Sequence, residues 1–215
     1  MDHYVFQPEL CFIARCYWQS DDHRLQAQDL DKDTDWLKPL WVKFNDTTTW
    51  DTRDGWLFAG RHRLRSIAER VVGDKLEVDH FWFGVYRTGA DYDYEIRTAY
   101  AGGNVDRWPN LERRLDVSRN GYLGFYHTGV PAGDDPLANN THTWRLERFD
   151  PAAVAPGSLV SDVELVSLHG RRVRRIFEDN RYYLGTHDSD EAEEGRIILQ
   201  ITDLPVPPHP NPRAG

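Results

Sequence analysis

Side chains that could bind a hydroxyl-rich ligand follow a short motif that occurs twice in the chain. The triplet Tyr-Leu-Gly stands at 122–124 and at 183–185, and a histidine follows each copy. Carboxylates and imidazoles exchange hydrogen bonds with hydroxyl groups, and aromatic faces stack on the apolar face of a sugar ring. The sequence therefore predicts a ligand-binding set made of Asp29, Asp31, Tyr122, His127, Trp144, Tyr183, His187 and Asp188.

The acidic loops depart from a known metal-binding pattern. Aspartates alternate between Asp29 and Asp35, as they do in calcium loops. Such a loop needs glycine where Thr34 stands and glutamate where Leu40 stands. The acidic segment 188–194 has the same defect, and the nine histidines show no metal-ligand spacing. We therefore predict solvated loops, no metal and no cofactor, with calcium binding as the alternative.

Motifs of nucleophilic and nucleotide chemistry are absent from the sequence. It contains no Gly-any-Ser-any-Gly elbow, no phosphate-binding loop ending in Lys-Ser/Thr and no dinucleotide fingerprint. His187 next to Asp188 has the chemistry of an acid/base pair, but also that of an ordinary polar loop. The sequence predicts no catalytic residue and favours a binding protein over an enzyme.

Short strands are the elements that must position these residues. Apolar and aromatic stretches bounded by turn residues predict antiparallel strands, and at most one or two short helices accompany them. The segment most compatible with a helix is 61–74, which Gly73 can end. The predicted fold is all-β, with strands at 9–18, 41–44, 55–60, 80–86, 94–100, 144–149, 162–168, 171–177, 181–186 and 196–202, and with strand-like flanks on both sides of a turn at Asn120-Gly121.

The strand rhythm repeats along the chain. Arg-Arg and an aliphatic residue precede each Tyr-Leu-Gly triplet by the same interval, and a strand follows each polar loop. Repetition of this kind indicates a fold built from copies of one unit. The unit 162–203 resembles a lobe of the β-trefoil superfamily, which includes ricin-type lectins and fascin-like domains, although the ricin-type Gln-any-Trp triplet is absent.

The resemblance implies three lobes within a single β domain over 1–204. The lobes would span about 9–45, 93–150 and 162–203, and 46–92 would be an insertion or an extra unit. Another antiparallel β-barrel or a sandwich is the alternative. The proline-rich tail 205–215 is predicted to be extended or disordered.

Charge and the amino terminus limit the partners and the compartment. A formal charge of −9 argues against nucleic acid or an anionic membrane as partner. Four arginines between 171 and 175 are typical of a solvated strand face, and a small anion site is the alternative. Cys11 and Cys16 would face opposite sides of a strand, which disfavours a disulfide. The absence of a signal-peptide pattern predicts a cytoplasmic protein, with non-classical export left open.

These observations favour a non-enzymatic module that binds a carbohydrate. Aromatic faces and loop carboxylates are the groups that hold sugar rings. A protein-binding inhibitor or assembly module is one alternative, and the acidity of the chain would then select a partner with a basic surface. A small β-barrel enzyme with an aromatic-lined pocket is the other.

Overall fold

The computed structural model describes residues 4–20, 38–44, 55–60, 77–99, 113–127, 143–188 and 192–206. These residues form a 15-stranded antiparallel sheet and two short 3-10 helices, at Pro8–Leu10 and Pro151–Ala153. The predicted all-β antiparallel fold with at most short helices is therefore confirmed. The helix predicted over 61–74 lies outside the described residues. Within the described ranges, no helix has the length and hydrophobicity needed to cross a membrane.

Six strands of this sheet close into a ring. They are β2 Phe12–Ser20, β6 His80–Thr88, β7 Asp91–Ala99, β10 Trp144–Glu147, β11 Leu159–Ser167 and β15 Gly195–Asp203. The pairing order runs β2–β6–β7–β10–β11–β15, and β15 pairs with β2 to complete the circle. Closure leaves these six strands without a free sheet edge.

Three hairpins lie between consecutive ring strands, and they pair with one another. The hairpins are β3 Leu40–Phe44 with β4 Gly55–Ala59, β8 Arg113–Val117 with β9 Leu123–His127, and β12 Arg174–Glu178 with β13 Arg181–Gly185. Strand β4 pairs with both β9 and β13, and an isolated bridge joins Tyr122 to Gly185. One residue pair also joins each hairpin to the ring strand that precedes it in the chain: Tyr17–Pro39, Arg97–Arg114 and Val166–Arg172. Short strands β1 Val5–Phe6, β5 Glu77–Val78 and β14 Ala192–Glu193 complete the sheet.

The ring and the hairpins divide the chain into three units of the same order. Each unit is a ring strand, a hairpin and a second ring strand, over 12–88, 91–147 and 159–203. The first unit is longer than the sequence analysis expected. The segment 46–92, treated there as an insertion or an extra unit, supplies β4 and β6 to this unit and the first two residues of β7 to the second.

Apolar side chains fill the interior because they alternate with polar ones along the strands. In β10, Trp144 and Leu146 are buried while Arg145 and Glu147 are exposed, which is the period expected of a strand with one buried face. The main core draws on all three units, and a smaller cluster lies apart from it. Val206, the second residue of the predicted tail, belongs to the smaller cluster and therefore packs against the domain.

The two cysteines lie in different clusters. Cys16 belongs to the main core and Cys11 to the smaller cluster, and both thiols are free. The absence of a disulfide between them was predicted from their odd separation, and it is confirmed. Burial raises the pKa of Cys11 to about 12 and raises the pKa of Cys16 further.

Candidate functional site

Three aromatic side chains, one from each hairpin, meet where the hairpins pair. We call Trp56, Tyr122 and Tyr183 the aromatic trio. The centroid of the Trp56 ring lies 6.3 Å from that of Tyr122 and 6.3 Å from that of Tyr183, and the two tyrosine rings are 5.6 Å apart. All three contacts are edge-on, and each ring is half-buried. The trio therefore combines a fixed geometry with partly exposed ring surface.

The two Tyr-Leu-Gly triplets create this arrangement. Leu123 and Leu184, the middle residues, are fully buried in the core, which orients the preceding tyrosines. The glycines permit the hairpins to approach. A Cβ on Gly124 would lie 2.6 Å from the Gly55 carbonyl oxygen, and one on Gly185 would lie 2.9 Å from that of Gly121. Only glycine fits such contacts without a backbone shift.

The first unit contains a third copy of the pattern, which the sequence analysis missed. Trp56 and Leu57 occupy the places of the tyrosine and the leucine, and Leu57 is buried like its counterparts. Phe58 stands in the place of the glycine and pairs with Tyr183 across the hairpins. The local signal of this copy in the sequence is an aromatic residue followed by leucine.

Polar groups surround the tyrosines of the trio. The Tyr122 hydroxyl donates a hydrogen bond to Glu178 Oε2, which ties the second hairpin to the third. This bond to a carboxylate raises the pKa of Tyr122 to about 12. The His187 ring packs edge-on against Tyr122 with centroids 4.7 Å apart, and its Nδ1 is buried with no hydrogen-bond partner among the described residues.

An ion-pair network extends the site beyond His187. Arg174 contacts the Asp188 carboxylate through one terminal nitrogen, and its other terminal nitrogen lies 3.0 Å from Glu194 Oε1. The Asp188 side chain is 95% exposed, so most of its hydrogen-bonding surface faces solvent. Exposed ion pairs contribute little to stability, so these groups are available to interact with a ligand.

The structure brings together four of the eight predicted site residues. Tyr122, Tyr183, His187 and Asp188 lie at the junction of the second and third hairpins. His127 is the last residue of β9, with its backbone opposite Arg113. Asp29 and Asp31 lie outside the described residues.

Trp144 requires a correction. Its side chain is fully buried, and its indole Nε1 donates a 3.1 Å hydrogen bond to the Leu115 carbonyl. Its apolar neighbours in the core, rather than solvent, surround the ring. Trp144 therefore presents no face to a ligand, because its position in β10 points it inward.

The arginine-rich segment is not simply a solvated face. Arg175 is buried, and its Nε donates to the Ala59 carbonyl at 2.9 Å while Nη1 lies 2.7 Å from Glu193 Oε2. Its guanidinium also lies 3.4 Å from the centroid of the Tyr182 ring. Arg175 therefore joins the third hairpin to the first, and holds the Tyr182 ring at the surface.

The groups at the trio are suited to noncovalent binding. Half-buried rings offer apolar faces and edges, while Glu178, Asp188 and His187 offer hydrogen-bond acceptors and donors beside them. No group of three or more His, Cys, Asp or Glu side chains in the described part of the chain could hold a metal ion.

Comparisons with known proteins give a partial similarity. No protein-family model matches the chain, and no solved structure matches it. The chain is 31% identical over 96 residues to a membrane-bound lytic murein transglycosylase F from Idiomarina loihiensis. The match covers 42% of this chain and 20% of that protein, so it spans only a fifth of the relative's length.

Proposed function

We propose that the protein is a carbohydrate-binding module of the β-trefoil superfamily, without catalytic activity of its own, and that it binds a murein-type glycan. The aromatic trio is the observation that carries this proposal. Trp56, Tyr122 and Tyr183 present ring surface from three hairpins at one place, with carboxylates nearby. Aromatic surface beside hydrogen-bond acceptors is the combination that sugar rings require.

Two further observations support the proposal. Three units of strand, hairpin and strand around a six-stranded ring are the arrangement that the β-trefoil resemblance implies. The name of the partial relative refers to murein, whose glycan consists of amino sugars. The resemblance and the partial similarity support the proposed class of ligand, and the trio supports the proposed place of binding.

Binding to purified murein sacculi and to neutral chito-oligosaccharides tests the proposal. Cosedimentation measures the first, and isothermal titration calorimetry measures the second. We expect Tyr183→Ala to weaken binding about tenfold, since loss of one stacked ring removes roughly 1 to 1.5 kcal/mol. Tyr183→Phe keeps the ring and is expected to retain most of the affinity.

Tyr4→Ala is the matched control, because Tyr4 is exposed and lies next to β1, outside the three hairpins. Circular dichroism verifies that each variant folds. Equal binding by the Tyr4→Ala and Tyr183→Ala proteins would exclude the trio as the binding site. Absence of binding to both sacculi and oligosaccharides would exclude the carbohydrate function.

A protein-binding function is the second candidate, and one surface feature favours it. Phe177 and Tyr182 are 42% and 39% exposed, and their rings pack with centroids 4.7 Å apart near the tip of the third hairpin. Exposed paired aromatics of this kind are enriched in protein interfaces. A stoichiometric complex that Phe177→Ala abolishes and Tyr183→Ala does not would support this function.

A further inference from the structure

A cleft in the third unit contains a buried carboxylate contacted by three guanidinium groups. Glu164 in β11 is buried, with its Oε1 3.3 Å from Arg148 Nη2 and 3.5 Å from Arg196 Nε. Its Oε2 lies 3.1 Å from Arg172 Nη2. Arg172 and Arg196 line the cleft together with Arg174.

Three guanidiniums surround Glu164, and two of them are largely exposed. Arg196 also contacts Asp162 at 3.4 Å, so these three guanidiniums face the two carboxylates of Glu164 and Asp162. Glu194 also lines the cleft and contacts Arg174. Side chains of Arg172 and Arg148 are 68% and 58% exposed, whereas that of Glu164 is 6% exposed.

Most donors of the two exposed arginines remain available. A guanidinium has five N–H donors, and each of these arginines contacts Glu164 through one terminal nitrogen. No other carboxylate in the described part of the chain contacts Arg172 or Arg148. Glu164 therefore holds the two side chains in place while their remaining N–H groups face solvent, which suits a second carboxylate from outside.

The backbone around Glu164 is specialised. The pairing of β11 with β15 shifts register between Val160 and Val163, and Asp162 within this bulge has a φ of 62°. The Gln19 side chain accepts from the Asp162 backbone N–H at 2.9 Å and donates to its carboxylate at 3.1 Å. Arg148 also has a positive φ, of 66°. A bulge changes the direction of neighbouring side chains, and a non-glycine residue keeps a left-handed backbone conformation only where its surroundings stabilise it.

We propose that Arg148 and Arg172 bind a carboxylate of the ligand, so that the protein prefers an acidic saccharide over a neutral one of the same size. This inference rests on the proposed carbohydrate function and adds a charge requirement to it. Arg174 lines the same cleft and contacts Asp188, which follows His187 beside the trio.

Two disaccharides that differ in one carboxylate test the inference by calorimetry on the full chain. N-acetylglucosaminyl-N-acetylmuramic acid carries the carboxylate, and N,N′-diacetylchitobiose lacks it. We expect the wild type to bind the acidic disaccharide about five- to tenfold more tightly. Arg172→Ala and Arg148→Ala should each reduce this preference, leaving chitobiose affinity unchanged. Each variant leaves Glu164 with two guanidinium partners, so folding should persist.

Arg171→Ala is the matched control, since it removes the same charge from an exposed neighbour that does not line the cleft. This variant should keep the preference. Equal wild-type affinities for the two disaccharides, or a preference that survives both the Arg172→Ala and the Arg148→Ala substitutions, would overturn the inference and leave the proposed function intact. Binding of the acidic disaccharide alone, unaffected by Tyr183→Ala, would support the inference and overturn the function assigned to the trio. Binding of neither disaccharide would overturn the inference, and the assays with sacculi and longer oligosaccharides would then decide the proposed function.

Discussion

Replacing Trp144 by phenylalanine should destabilise the protein strongly without a specific effect on ligand binding. The Trp144 ring lies wholly inside the core, and its indole N–H is the donor to the Leu115 carbonyl. That hydrogen bond joins β10 of the ring to β8 of the second hairpin. Trp144→Phe keeps an aromatic ring in the core but removes the donor and part of the volume.

Three contributions of similar size add up in this substitution. Loss of a buried hydrogen bond costs about 1 kcal/mol. A residual cavity of roughly 40 Å³ costs about 1 kcal/mol at ~24 cal/mol per Å³. Loss of roughly 40 Å² of buried apolar surface costs about 1 kcal/mol more. A total near ~3 kcal/mol corresponds to a fall in Tm of about 6 to 12 °C for a chain of this size.

Urea unfolding followed by far-UV circular dichroism, with differential scanning calorimetry for Tm, measures the effect. Fluorescence is unsuitable because the substitution removes a tryptophan. Trp56→Phe is the matched control, since Trp56 is half-buried in the aromatic trio. The same change there should cost less than about 1 kcal/mol of stability, and under the proposed function it should weaken glycan binding instead.

The reverse pattern would refute the structural assignment of both tryptophans. If Trp144→Phe left the unfolding free energy unchanged and reduced ligand affinity, then Trp144 would be a surface binding residue, as the sequence predicted. If Trp56→Phe were the more destabilising change, the trio would serve core packing rather than recognition. In either case the site would have to be relocated.

Three other predictions concern the hairpin junction and the thiols. Gly121→Ala should cost about 2 to 3 kcal/mol in urea unfolding, because Gly121 has a φ of 85° and a Cβ would lie 2.7 Å from His187. Gly89 has a φ of 65° but open space around it, so Gly89→Ala should cost only about 1 kcal/mol. Equal losses of stability in the two variants would contradict the steric argument. Glu178→Gln should lower the pKa of Tyr122 from about 12 toward its ordinary value, as NMR titration of labelled tyrosine rings would detect. Since the folded pKa is the raised one, stability from this bond is present below about pH 10 and lost as the pH rises through the folded pKa; an unchanged pKa in the variant would exclude the bond. Both free thiols are buried with raised pKa values, so Ellman's reagent at pH 8 should react only after unfolding, and rapid reaction of the folded protein would contradict their burial.

The alternation of apolar and polar residues was sufficient to predict the all-β class and, to within about three residues, the six ring strands, whereas the short strands β1, β5 and β14 were not predicted. Alternation is local, and it specifies which side chains of a strand share a face. The Tyr-Leu-Gly triplets could likewise be recognised in the sequence, because the tyrosine, the core leucine and the glycine at which two backbones approach are adjacent residues. In the described structure Tyr122 and Tyr183 do meet, and His187 with Asp188 follows them.

Which strands become neighbours was decided only by the tertiary structure. Tyr122 pairs with Gly185, and Tyr183 with Phe58, across long stretches of chain that no local pattern connects. Those pairings placed Trp56 in the trio and turned Trp144, an aromatic residue of the same type, into the core. A tryptophan has the same chemistry in both places, and its role depends on whether long-range packing leaves a face of the ring in contact with water.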